Sequence, residues 1–309
     1  MGIEQELAGI VPSKGTLLTI GVFDGVHAGH RYLIQNLNQR AQERKLISGV
    51  VTFDPHPQSI LHPHNQLPLL GSLEDRDKEL HEVGIGLIAV LTFTPALAHL
   101  SAREFVTLLK KHLKMCGLVL GPDFALGRKR EGNVNLLRSL GQEMEFTVEI
   151  VPPFTVNGEI VSSTLIRQTL AQGDMMKVKR LIGRRFNLRA KVISAYRRGQ
   201  RLGFPTANLD VKPGQALPGD GVYATITYVD NMQFISATNI GTCPTFGDNE
   251  RTVETYLLNF KGNLYGKELR VEFIDKVRDE KQLASSQELK AQIEKDIKRT
   301  KIIAGRELK

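Results

Sequence analysis

The feature that most limits what this chain can fold into is a change of pattern near residue 185. Before it, strand-like and helix-like segments alternate; after it, only short β-rich runs follow. Residues 16–22 are β-rich, and residues 31–44 place Leu33, Ile34 and Leu37 on one helical face. Residues 47–53 read as a second strand and 73–83 as a polar-faced helix. Residues 87–93 read as a third, buried strand, and residues 102–113 as a helix with Phe105, Leu108, Leu109 and Leu113 in register. Residues 118–120 and 146–151 complete the set. Strands alternating with helices predict an α/β domain, a parallel sheet with helices on both faces. Ligands of such sheets lie beyond the carboxyl ends of the strands, which singles out residues 24–30, 54–57 and 121–133.

Beyond residue 185, the runs 189–194, 221–230, 233–240, 252–260 and 269–275 are separated by Gly, Pro, Asn and Asp. That spacing predicts an antiparallel sheet closing into a small barrel. A last helix opens with Ser285-x-x-Glu288, a capping box, and carries Leu289, Ile293 and Ile297 on one face. The boundary falls between Leu181 and Leu188, giving domains of residues 1–184 and 185–309. At 309 residues, either domain is long enough for its own core.

The longest strongly apolar stretch is too short to cross a bilayer, and the first residues lack the basic-then-apolar pattern of a signal peptide. Cys116 and Cys243 have no metal-ligand spacing and read as small core residues, so a cytoplasmic location is expected. The net charge of +8 is spread over both halves, with short clusters at Arg128-Lys129-Arg130, Arg184-Arg185 and Arg197-Arg198. Such clusters are usually solvated surface. Their functional reading is an anionic ligand, nucleic acid or phosphorylated small molecules. The chain has no Trp, no aromatics interleaved with its basic residues and no nucleic-acid motif, which weighs against nucleic acid.

The most specific motif is Gly21-Val22-Phe23-Asp24-Gly25-Val26-His27-Ala28-Gly29-His30, placed where the first strand gives way to the first helix. A bare H-x-x-H is most often a pair of structural histidines, and a zinc site lacks a third ligand. At a helix N-terminus, however, two imidazoles beside free N–H groups suit a polyphosphate, with Gly29 letting it approach the backbone. Imidazole also donates to phosphate oxygens as charge builds on them. Downstream, Val161-Ser162-Ser163-Thr164-Leu165-Ile166-Arg167 offers hydroxyls at a second helix start, with an Arg fork one turn in.

These two motifs resemble the H-x-G-H and I-S-S-T-x-I-R signatures of the nucleotidylyltransferase superfamily. Phe53-Asp54-Pro55-His56-Pro57 is a proline-held turn, and residues 121–133, with Asp123 and Phe124, form by composition a flexible basic loop bracketed by glycines. Both resemble the flavin-binding turn and mobile flap of the bacterial bifunctional riboflavin kinase/FMN adenylyltransferases, or FAD synthetases, and the resemblance covers nearly the whole chain. It implies a Rossmann-like nucleotidylyltransferase domain followed by a riboflavin-kinase barrel. It also implies phosphorylation of riboflavin to FMN, then adenylylation of FMN to FAD with release of pyrophosphate. Gly21, Phe23, Gly29, Ser162, Ser163 and Thr164 would hold nucleotide, with His27, His30 and Arg167 catalytic. Phe53, Asp54, His56, Pro57, Asp123 and Phe124 would contact flavin.

In the barrel, Gly203-Phe204-Pro205-Thr206-Ala207-Asn208 resembles the P-T-A-N motif of riboflavin kinases. A Thr hydroxyl and an Asn amide oxygen are hard ligands suited to Mg²⁺ bridging ATP phosphates. The resemblance implies Thr206 and Asn208 as metal ligands, Gly203 and Pro205 at the nucleotide, Glu254 as catalytic base and Arg278 near the flavin. By itself Glu254 would read as an outward charge on a strand. Asn239-Ile240-Gly241 and Tyr265-Gly266-Lys267 also follow family patterns. Four departures stand out: Val22 replaces an amide, Leu283 a Phe, and the phosphate loop 194–203 has Ala195 for one glycine and Gln200 for an arginine. The altered loop supports an alternative in which only the adenylyltransferase works and the barrel is weak or inactive. Substrates would be riboflavin, FMN and ATP, with Mg²⁺; no oligomeric state is implied.

Overall fold

The computed structural model describes residues 2–65, 67–194, 203–230, 232–242, 251–281 and 284–307. The phosphate-loop positions Ala195 and Gln200, Cys243 and Leu283 lie outside them. The chain divides into two compact units, residues 1–163 and 164–309.

The first unit runs α1 (Ile3–Ala8), β1 (Thr16–Ile20), α2 (Ala28–Glu43), β2 (Ile47–Asp54), α3 (Pro57–Leu61), α4 (Leu73–Glu82), β3 (Leu87–Thr92), α5 (Pro95–His99), α6 (Ala102–Leu113) and β4 (Met115–Leu120). It continues with β5 (Ala125–Leu126), β6 (Gly132–Asn133), α7 (Val134–Met144), β7 (Thr147–Ile150), β8 (Thr155–Val156) and β9 (Glu159–Ile160). The main sheet has the order β3-β2-β1-β4-β7, every pair parallel. One core, centred on Leu18, Phe105, Leu109 and Leu118, lies on one face; a second, with Leu17, Ile34, Leu37 and Val119, lies on the other. Covered on both faces, β1 is buried along its whole length and β2 over Ser48–Thr52.

Three expectations for this unit are corrected. β3 is an edge strand whose residues alternate in exposure, because only β2 pairs with it. Residues 121–133 form a hairpin, β5 with β6, closed by a single 3₁₀ turn at Arg128–Arg130. The hairpin docks on the start of α6: Arg128 N–H donates to Leu100 O at 2.8 Å, and Glu131 accepts from Ala102 N–H at 3.0 Å. Gly127 has φ +76°, and a Cβ there would lie 2.7 Å from Ala102 N, so the docking needs glycine. Finally, Cys116 is exposed. Thr16 pairs with Met115 and Leu17 with Gly117, which leaves Cys116 extruded at a bulge.

The second unit holds α8 (Ser163–Gln172, beginning on the last residue of the first unit), α9 (Met175–Ile182), β10 (Asn187–Ile193), β11 (Ala207–Asp210), β12 (Gly221–Val229), β13 (Met232–Thr242), β14 (Arg251–Leu257), β15 (Glu268–Arg278) and α10 (Ser286–Glu307). The strands close in the order β10-β11-β14-β13-β12-β15, with β15 pairing back onto β10, all antiparallel. β11 was not expected from its short, Asn- and Asp-containing sequence; pairing to β10 and β14 makes it a strand. The barrel contains a buried hydroxyl cluster. Thr225 bonds Ser236 and Thr238, Thr227 bonds Ser236 and Thr238 bonds Thr255, at 2.6–2.9 Å. The cluster satisfies its polar atoms internally.

α10 covers Val222, Ala224, Ile226, Ile274 and Val277. Its fully buried residues are Asp296, Thr300 and Ala304, whereas the expected stripe of Leu289, Ile293 and Ile297 is only half-buried. An ion pair sets this rotation: Arg278 reaches Asp296 through Nε and Nη2 at 2.9–3.0 Å. The cap is offset, since Ser285 Oγ accepts from Glu288 N–H at 3.1 Å while the Glu288 carboxylate returns to Ala284 N–H at 3.2 Å.

Candidate active sites

The strand order of the first sheet reverses between β1 and β4, and a crevice opens there beyond the strands' carboxyl ends. Leaving β1, the backbone takes left-handed φ at Phe23 (+55°), Gly25 (+74°) and Val26 (+30°). For a β-branched residue such as Val26 that conformation costs on the order of 1–3 kcal/mol. The turn is held from inside: Phe23 is buried, and the buried Asp24 carboxylate accepts Leu70 N–H at 2.9 and 3.2 Å.

His27 caps α2, its Nδ1 accepting His30 N–H at 3.3 Å. That bond leaves the proton of the neutral ring on Nε2. The His30 ring stacks on His27, 3.6 Å between centroids and 15° between planes, and Phe23 lies 5.0 Å away. Burial pushes the His30 pKa well below its ordinary value, and the neighbouring His27 lowers it further. His30 Nδ1 and, at the floor of the crevice, Thr19 Oγ1 are buried without a hydrogen-bond partner among the described residues.

The second motif meets the first at this point. Ser163 Oγ–H donates to Asp24 O at 3.3 Å, and a Cβ on Gly29 would lie 3.2 Å from Val161 O. A side chain at Gly29 would crowd the place where the two motifs meet. They enclose a cavity of about 370 Å³ with the segments 121–124 after β4 and 151–154 after β7. Of the expected residues, Gly21, Phe23, His27, Gly29, His30, Asp123, Phe124, Ser162 and Ser163 line it. Thr164 and Arg167 follow along α8 in the second unit.

Phe53, Asp54, His56 and Pro57 do not line the cavity. They stand at the adjacent end of β2, where Phe53 packs edge-on against Phe93 at 5.6 Å and His56 caps α3. Sequence reasoning missed Thr19, Tyr32 and Pro152-Pro153-Phe154, which also line the cavity; Tyr32 and Phe154 are 5.3 Å apart. The signal for residues 152–154 was present, since they directly follow the last parallel strand.

On the outer face of the barrel, Thr206 Oγ–H donates to Glu254 Oε2 at 3.2 Å. Asn208, on β11, sits directly opposite Glu254, and Asn239, on β13, flanks Glu254 on the other side. The same row continues through Val222 to Arg278, whose guanidinium is engaged by Asp296 and by Asp279 O. Gly203 precedes the row with φ +87°, and Phe204 stacks edge-on against Tyr256 at 5.7 Å. Among the described residues no group of three or more His, Cys, Asp or Glu is placed to hold a metal ion. The hydroxyl of Thr206 and the amide oxygen of Asn208 fit instead a Mg²⁺ completed by phosphate and water, hard oxygen donors of the kind that ion takes.

Together these features give an α/β unit with a cavity between two helix-start motifs at its switch point and a barrel with a row of oxygen donors on its wall. Residues 11–165 match the FAD synthetase family model and residues 182–304 the riboflavin kinase model. Over 287 residues the chain is 36% identical to the bifunctional riboflavin kinase/FMN adenylyltransferase of Escherichia coli K12, covering 92% of this chain and 91% of that one. The namesake from Haemophilus influenzae is 34% identical, with 93% and 94% covered, and that of Pseudomonas fluorescens 35% identical, with 94% of each. The fold is similar to the crystal structure of a macrolide-efflux protein from Streptococcus pneumoniae, at TM-score 0.87, 27% identity and 96% of both chains. Among the described residues no helix is long and apolar enough to cross a membrane. The chain belongs to the bifunctional riboflavin kinase/FMN adenylyltransferase family.

Proposed function

We propose that the chain performs both steps of FAD synthesis, with the barrel (residues 185–309) making FMN from riboflavin and the α/β part (residues 1–184) making FAD from FMN, in the cytoplasm. The observation that carries the second step is the Ser163-to-Asp24 bond, which closes both phosphate motifs around one cavity. There an FMN phosphate oxygen attacks the α-phosphorus of ATP, and the bond to the bridging oxygen breaks to release pyrophosphate. No protein nucleophile is needed, so catalysis is positioning plus charge stabilisation. His30, held neutral by burial, donates a hydrogen bond to the phosphates. Ser162, Ser163 and Thr164 bind phosphate oxygens through hydroxyls and helix-start N–H groups, and Arg167 neutralises developing charge.

In the barrel, Glu254 takes the proton of the terminal ribityl hydroxyl as its oxygen attacks the γ-phosphorus, and ADP leaves. Thr206 and Asn208 would hold Mg²⁺, which when bound neutralises phosphate charge. The bond from Thr206 to Glu254 keeps base and metal ligand on one patch of the wall. Incubating the protein with MgATP and either riboflavin or FMN, then separating the flavins, tests the reading. FMN and FAD from the first tube and FAD from the second are expected. FAD from FMN alone would retire the kinase step, and chelating Mg²⁺ should abolish FMN formation.

A further inference from the structure

Arg76, on α4, is not part of any motif considered so far. Its side chain is 9% exposed, yet it faces the active end of the sheet. Nη1 donates to Val22 O at 2.8 Å and Nη2 to Phe53 O at 3.1 Å. These carbonyls stand at the carboxyl ends of the adjacent strands β1 and β2, one at the base of the left-handed turn 23–26 and the other at the base of the turn 53–57. Val22 O is held a second time by Thr52 Oγ–H at 3.0 Å. The helix that carries Arg76 follows Leu70, whose N–H is fixed by Asp24. One element therefore ties both turns together.

The charge is harder to explain as packing. Burial lowers the guanidinium's pKa and is opposed by Asp54, then Asp24 and Asp77. Two backbone carbonyls would be served as well by a neutral donor, and a desolvated cation is costly without a partner. Nε is buried with no hydrogen-bond partner among the described residues. Of these carboxylates Asp54 acts most strongly; it is 53% exposed, with Oδ1 4.0 Å from Nη2.

We infer that Arg76 is a positioning residue for the adenylyl transfer: it sets the Phe53–Pro57 turn and the Asp54 carboxylate in register with the phosphate turn, so that flavin bound at one strand end presents its phosphate to ATP bound at the next. This rests on the proposed FMN adenylyltransferase activity. Because Arg76 acts through the turn at β2, its loss weakens use of FMN more than use of ATP.

The test measures KM for FMN, KM for ATP and kcat of FAD formation in the full-length protein and in Arg76→Met, Arg76→Lys, Asp54→Asn and the Arg76→Met/Asp54→Asn double variant. FMN formation from riboflavin and the unfolding midpoint are followed in the same preparations. For Arg76→Met the expected result is a KM for FMN raised about tenfold, roughly 1.4 kcal/mol, with KM for ATP nearly unchanged. Arg76→Lys should recover part of the loss, and adding Asp54→Asn to Arg76→Met should cost little more, as for residues acting in one path. Equal rises in both KM values, or additive losses in the double variant, would overturn the inference in favour of a purely structural arginine. Should Arg76→Met fail to fold, Arg76→Lys decides: it must raise KM for FMN at an unchanged unfolding midpoint, and an unchanged KM overturns the inference. A wild-type protein that makes no FAD from FMN overturns the parent reading and this one with it; a wild type that does leaves the variants to judge Arg76 alone.

Discussion

The stacked pair His27 and His30 shows how one buried ring can be tuned by its neighbour. Both burial and the adjacent imidazole disfavour a proton on His30, so its folded pKa lies below that of the unfolded chain. Above about pH 6.5, the ordinary value for histidine, neither state binds that proton. As the pH falls below that value, the unfolded chain takes it up and the folded chain does not, so stability drops until the lower folded pKa is reached. The unfolding midpoint of the first unit should therefore decline between pH 7 and 5, and His30→Asn should flatten the decline. A wild-type midpoint that rises over the same interval would contradict a neutral, buried His30. Val22 makes a second point at this scale: its backbone carbonyl accepts from both Arg76 and Thr52, a role that does not depend on the side chain at that position.

At the level of elements, α10 is seated by charge as much as by apolar contact. The stripe of Leu289, Ile293 and Ile297 predicted one rotation of the helix; the pairing of Asp296 with Arg278 places Asp296, Thr300 and Ala304 innermost. Asp296→Ala leaves the half-buried Arg278 without its partner and should cost about 3 kcal/mol, the lower end for a broken buried pair because Arg278 keeps some solvent contact. Chemical denaturation followed in the barrel checks this, and a loss under about 1 kcal/mol would mean that the pair is screened like a surface one. Arg278 also stands in the row that holds Asn208, Glu254 and Asn239, so the same variant reports whether seating of α10 governs FMN formation.

For the whole molecule, the two residues that single out each step lie in different units, His30 in the first and Glu254 in the second. His30→Ala should abolish FAD formation and spare FMN formation, and Glu254→Gln should do the reverse. Mixed in one tube with riboflavin and MgATP, the two variants should restore FAD, FMN passing through solution from one chain to the other. Failure of the mixture, with each variant retaining its own step, would show that FMN must be handed over within one chain.

The sequence by itself determined the order of the principal strands and helices, the change from an α/β part to a barrel, and the positions of the two helix-start motifs, because periodicity and helix-start chemistry are local properties. Tertiary structure alone decided what those elements do to one another. The 207–210 segment becomes a strand only between β10 and β14. Cys116 leaves the core only because the β1–β4 register slips. Residues 121–133, glycine-rich and basic, form a hairpin because the entry to α6 offers Leu100 and Ala102 to dock against. Arg76 is one charge among many on a polar helix until folding brings its guanidinium under two strand ends from different parts of the chain. Each of these outcomes depends on pairing and burial between residues far apart in sequence, and no local pattern encodes that.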